Sequence, residues 1–135
     1  MAKMSDYLEG QLRAHIFRTA TFTKPAALYV ALHTADPLDD ATGAEANYTG
    51  YARVARAPLD ANWTAASATD GLTDNAAAVT FGACTVGTNT VTHFAIWDAL
   101  SAGNMLCYGA LTVQQVIAVG VTPNFPIGSI DITFQ

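Results

Sequence analysis

Apolar residues recur every fourth position before residue 19 and every second position after residue 26, and this switch of period limits the chain to one helix followed by strands. Leu8, Leu12 and Ile16 form one apolar stripe. Ser5 or Asp6 can cap the start, with Glu9 three residues after Asp6 in capping-box order, so the spacing predicts an amphipathic helix from about Asp6 to Arg18. Glu9 precedes Arg13 by four residues, the favourable order for a helical ion pair. Pro25 closes the connection. In Leu28–His33, Leu28, Val30 and Leu32 point to one side and Tyr29, Ala31 and His33 to the other, which is a strand with one strongly apolar face.

Further strands are predicted at Tyr51–Ala57, Ala77–Phe81, Val91–Trp97, Met105–Leu111, Gln114–Val119 and Ile130–Phe134, several of them rich in β-branched or aromatic residues. Asp98–Asn104, which contains Gly103-Asn104, joins two of them as a hairpin. Ala61–Ala78 lacks periodicity and reads as an exposed loop over most of its length. The expected fold is therefore mainly β. It is a single antiparallel β-sandwich or barrel-like domain at residues 25–135, preceded by an N-terminal helical segment at residues 1–24. The expected core holds Leu28, Val30, Leu32, Val54, Phe94, Ile96, Leu106, Ile130 and Ile132.

Length and charge exclude several functions. A chain of 135 residues with 51% apolar residues suits one core that needs no metal, cofactor or disulfide to fold. Charged residues make up 13%, about half the usual share, which suits a surface packed against neighbours. Six Lys plus Arg in a chain of net charge −5 leave no cluster able to neutralise a phosphate backbone, so nucleic acid is not an expected partner. No apolar run approaches the length of a membrane span, and the N-terminus lacks a signal-peptide pattern. The chain reads as soluble and made in the cytoplasm. Cys84 and Cys107 are too few and too widely spaced for a zinc site; they are two buried thiols, or a bridge if their strands lie side by side.

Candidate chemistry is sparse. His15, His33 and His93 form no metal-binding helical pattern, and each is expected to be satisfied by a local hydrogen bond. Ser101 and Cys107 lie in no nucleophile signature, and no glycine-rich phosphate loop follows a strand, so no catalytic residue is assigned. Asp36, Asp39, Asp40 and Glu45 offer hard oxygen ligands of the kind calcium takes, but their spacing does not follow an EF-hand, and they read as a solubilising loop. Two sequons, at Asn47 and Asn62, carry meaning only in a secretory pathway. Trp63, in a polar loop with Tyr48 and Tyr51 earlier in the sequence, is the one place for sugar stacking; the competing reading packs it over a sheet edge or a subunit.

Taken in order, Ser5-Asp6-Tyr7-Leu8-Glu9, Leu28 through Pro37, Gly50-Tyr51-Ala52-Arg53, Val91 through Asp98 and Leu106 through Thr112 resemble small tailed-phage and prophage proteins usually labelled phage tail-fibre proteins. The resemblance covers nearly the whole chain and brings no catalytic residues with it. It implies a virion structural protein, made in the bacterial host cytoplasm and in contact with other virion proteins, with no membrane partner. The absence of long fibrous repeats points to an adaptor, collar or tip module rather than a shaft. A capsid decoration protein and a host-surface carbohydrate-binding module are the alternatives. A homo-oligomer is expected, with Leu8, Leu12 and Ile16 in a subunit contact unless the helix merely covers its own sheet.

Overall fold

A computed structural model of the chain describes residues 2–134. Its centre is the predicted hairpin. Strands β6 (Asn89–Trp97) and β7 (Met105–Ile117) pair antiparallel. Both carboxylate oxygens of Asp98 close the turn, accepting from the Asn104 backbone N–H at 2.7 Å and from its side-chain amide at 2.8 Å. Gly103 supplies the positive φ that this turn requires.

The remaining strands are added on either side of the hairpin. Strand β2 (Tyr29–His33) lies along β6, with Leu32 beside Phe94 and Val30 beside Ile96. Strands β1 (Ala2–Met4) and β3 (Val54–Ala55) complete a five-stranded antiparallel sheet in the order β1-β7-β6-β2-β3. Two short antiparallel ladders accompany it. One pairs β4 (Thr73–Asp74) with β9 (Asp131–Ile132), and the other pairs β5 (Val79–Thr80) with β8 (Asn124–Phe125). The domain is mainly β with an N-terminal helix, as expected, and no closed barrel forms among the described residues.

Between the sheet and the two ladders lies the main core. Val30, Leu32, Phe94, Ile96, Leu106 and Ile130 are buried, and Leu28, Val54 and Ile132 pack half-buried against them. All nine expected core residues therefore share one cluster. The second face of β2, which carries Tyr29, Ala31 and His33, is also covered. Ala31, Ala95, Trp97, Met105 and Tyr108 form a smaller core there, beneath the segment that leads from Thr34 to Arg53. Alternation identified the stronger face but not this covering loop, because a polar loop carries no period.

The predicted strands at Met105–Leu111 and Gln114–Val119 are two parts of β7. The ladder to β6 runs through Ala110, lapses over Leu111–Gln114 opposite Thr92, and resumes at Gln115. A second irregularity between Ile96 and Trp97 lets the consecutive residues Leu106 and Cys107 both enter the main core. The strands expected at Tyr51–Ala57, Ala77–Phe81 and Ile130–Phe134 shrink to two residues each. Their neighbours are held by other bonds instead: the Tyr51 hydroxyl, for example, accepts from the Leu32 N–H of β2 at 3.1 Å.

Helix α1 (Asp6–Phe17) begins where β1 ends, and Ser5 makes both joints. Its N–H donates to the Leu106 carbonyl at 3.0 Å, its hydroxyl donates to the Met105 carbonyl, and the same oxygen accepts from the Leu8 N–H at 3.2 Å. Ser5 is the cap, and Glu9 turns to Arg13 at 3.1 Å rather than back to the helix start. Replacing Ser5 with Ala should lower the unfolding free energy in urea by about 1 to 2 kcal/mol, the effect of losing an N-cap. A change within about 0.3 kcal/mol of zero would show that the cap is dispensable.

Candidate functional site

The most elaborate polar assembly in the domain surrounds Arg53. This guanidinium lies 3.9 Å from the centre of the Trp97 ring and is almost wholly buried. Its Nε and Nη2 donate to the two carboxylate oxygens of Glu45 at 2.9 and 2.8 Å. Its Nη1 donates to the carbonyls of Ala99 and Ala102 at 2.8 and 2.9 Å, in the β6–β7 turn. One side chain thus ties the loop through Glu45, the hairpin turn and the second core together. The Tyr51 hydroxyl adds a bond to Glu45 at 2.6 Å. Burial works against the Glu45 charge, but the bonds from Arg53 and Tyr51 outweigh it and hold the carboxyl below its ordinary value.

His33 completes this assembly. Its ring stacks on Trp97 at 6.2 Å, and its Nδ1 donates to the Gly43 carbonyl at 3.1 Å. Gly43 itself lies against the Asp36 and Pro37 backbone, with no room for a side chain. Burial lowers the His33 pKa despite the opposing pull of Glu45 and the Gly43 bond, while Arg53 and its cross-strand neighbour His93 lower it further. A depressed histidine means that the unfolded chain takes up a proton which the folded chain refuses, so stability falls as the pH drops below the ordinary histidine value. Glu45 has the same sign, since its contribution is lost as pH falls through its folded value. Unfolding free energy should therefore decline between about pH 7 and pH 5, and His33→Phe should flatten that slope; an unchanged slope would remove His33 as its source.

The other candidate chemistry is taken up in local structure. Asp36 and Asp40 accept from the Leu38 and Thr42 N–H groups within their own turns, and Asp39 accepts from the Tyr108 hydroxyl at 2.6 Å. With Glu45 committed to Arg53, these four acids do not converge, and no group of three or more metal-ligating side chains stands together among the described residues. His15 accepts from the Phe22 N–H at 3.2 Å, and His93 lies 3.8 Å from Asp36. Cys84 and Cys107 are buried free thiols, and burial pushes Cys107 up to about 12, far from a reactive thiolate.

What remains open is apolar surface. The Leu8, Leu12 and Ile16 stripe divides: Leu8 is buried in the main core, Leu12 is half-buried against it, and Ile16 is 66% exposed. Phe17, one residue further on, is 80% exposed and was not singled out from the sequence. Trp63 is half-buried against the core, and its Nε1–H donates to the Arg56 carbonyl at 3.4 Å. It lines an apolar groove of about 580 Å³ together with Leu8, Leu28, Leu59, Ile96 and Phe134. Leu8 and Trp63 therefore share one site, from which Ile16 is absent. A second groove, of about 560 Å³, runs beside the lapse in β7 and is lined by Leu32, Phe94, Val113 and Phe125. No sequence signal marks either groove, because their walls come from segments far apart in the chain.

These features define a charge-poor antiparallel β domain whose most elaborate polar assembly secures its own loops and whose helix tip and Trp63 groove present apolar side chains. The chain belongs to the podophage GP4 fiber I protein gp80 family, whose family model matches residues 3–133. It is thus a phage fibre-type protein, and the family is one of virion structural components. No curated protein matches the chain. Among the described residues, no helix is long and apolar enough to cross a membrane.

Proposed function

We propose that the protein is an accessory, adaptor or collar element of the fibre apparatus that acts through protein–protein contacts and is carried in the particle as a symmetric homo-oligomer. The observation that carries this reading is the exposed apolar helix end, Ile16 and Phe17, on a domain whose most elaborate polar assembly, around Arg53 and Glu45, is spent on its own loops. A side chain such as Phe17 gains about 1.5 to 3 kcal/mol on full burial, so its exposure on one copy is a standing drive to associate. In this reading the helical segment at residues 1–24 and the β domain at residues 25–135 move as one body, because β1 and Leu8 belong to the sheet and its core. Neither nucleic acid nor membrane is a partner, and the chain is made in the host cytoplasm before it joins the particle.

A sugar-binding role would use Trp63 as a stacking platform. Its half-burial and its bond to Arg56 favour the structural reading instead. The test is direct: particles produced with a tagged copy are imaged, and label at the fibre or its collar, in a fixed copy number, is the expected result. Label spread over the head lattice would replace this reading with a decoration protein. Loss of glycan binding in Trp63→Ala, with incorporation unchanged, would replace it with a receptor module.

A further inference from the structure

We infer that the tip of helix α1, centred on Phe17, docks into the apolar groove beside Trp63 on a second copy of the same chain. This rests on the reading of the protein as an assembled structural part, and names the two surfaces that meet.

Charge separates those surfaces. Residues 1–24 hold four basic side chains (Lys3, Arg13, Arg18, Lys24) against two acids, Asp6 and Glu9; the remaining residues hold nine acids against Arg53 and Arg56. The helical segment is thus positive by two and the rest of the chain negative by seven. Arg53 is already committed to Glu45. Arg18 and Lys24, near the helix tip, are exposed and enter no ion pair among the described residues. Two acidic domains repel each other almost everywhere. The approach that avoids this repulsion sets the basic helix tip of one copy against the acidic body of another.

Shape selects the place on that body. The groove is floored by Ile96, Leu106 and Cys107 of the main sheet and walled by Leu59, Trp63 and Phe134, with Asp60 on its rim. Leu59 is 59% exposed and Phe134 49%, so the walls as well as the tip leave apolar surface in water. A volume of about 580 Å³ accommodates an aromatic ring and an isoleucine side chain with space to spare. The chain cannot fill its own groove with this tip. Leu8 lines the groove, and Phe17 lies nine residues further along the same helix, about 13 Å away along the axis at the rise of an α-helix. The docked tip must therefore come from another molecule, and Arg18 then approaches Asp60.

The experiment uses the full chain and two exposed substitutions, Phe17→Asp on the tip and Leu59→Arg in the groove, with circular dichroism confirming that both fold. Sedimentation velocity of the wild type should show an assembly, each variant alone should self-associate roughly thirtyfold more weakly or worse, the effect of losing an anchor residue, and an equimolar mixture of the two should form a heterodimer. The mixture restores one contact because the groove of the first variant and the tip of the second are intact. Arg18→Glu should weaken assembly, and adding Asp60→Arg should restore it. The inference is overturned if either single variant assembles like the wild type, or if the mixture stays monomeric. A wild type that is monomeric in solution yet enters particles overturns the self-contact and leaves the structural role standing. A chain that assembles through this contact but never enters particles does the opposite.

Discussion

Replacing Asn75 with Asp should destabilise the domain by about 3 to 5 kcal/mol at pH 7, although the side chains have almost the same shape. Asn75 is fully buried, and its amide meets four backbone partners. The Nδ2 group donates to the carbonyls of Ala77 and Pro126 at 2.9 and 2.8 Å, and Oδ1 accepts from the N–H groups of Ser129 and Ile130 at 3.0 and 2.8 Å. Only an amide provides donors on one side and an acceptor on the other. Aspartate would keep the two accepted bonds but turn a charged oxygen toward two carbonyls, with no water to screen it. Its folded pKa would rise above the unfolded value, so the penalty relative to wild type should grow as pH rises from the ordinary aspartate value to that raised value, level off above it, and shrink in acid, where one proton restores one donor. Asn75→Ala should cost about 3 kcal/mol with no such pH dependence, since it strands the same backbone groups without adding a charge. Urea unfolding at pH 4.5 and 7 checks both, and a penalty for Asp that does not change with pH would overturn the argument.

Removal of the Arg53 guanidinium is the second large effect. Arg53→Ala leaves Glu45 without its partner, strands the Ala99 and Ala102 carbonyls, and opens space over Trp97. Breaking a buried ion pair from one side costs about 3 to 5 kcal/mol, most of it from the charge left behind. Glu45→Gln in the Arg53→Ala background removes that stranded charge and should recover part of the loss. A double-mutant cycle should therefore report a coupling of at least about 1.5 kcal/mol between the two residues. Additive losses would mean that Arg53 acts through its packing on Trp97 and not through Glu45. Arg53→Lys should fall between wild type and Ala, because an ammonium keeps the charge but cannot form the two-pronged bond or lie flat on the indole.

Asn75 and Arg53 also mark the limit of what a local sequence pattern encodes. Ala61–Ala78 has no period, and it was expected to be mostly exposed loop; Thr64–Gly71 is exposed, but the segment also holds strand β4 and the buried Asn75. Arg53 lies in a stretch expected to be regular strand, of which only Val54 and Ala55 pair. In both places an apparent irregularity is stabilised by side-chain bonds to backbone 46 to 55 residues away. A window of a few residues contains no trace of such a partner. Strand β8 carries no sequence signal for a related reason, since its two residues stand between Pro123 and Pro126 and show no alternation.

Where the physics is local, the chain by itself was enough. Period four with a capping serine determined α1, period two determined β2 and β6, and Asp98 with Gly103-Asn104 determined the turn that makes β6 and β7 neighbours. The nine core positions followed, because alternation assigns each side chain to a face before any partner is known. The Arg53 clamp, the cover over the second face of the sheet, the two grooves and the division of the helix stripe into buried Leu8 and exposed Ile16 were decided only in three dimensions. Each depends on which distant segment comes to lie against a given face. That choice is made by summed burial and hydrogen-bond satisfaction over the whole domain, and not by the preference of any short stretch.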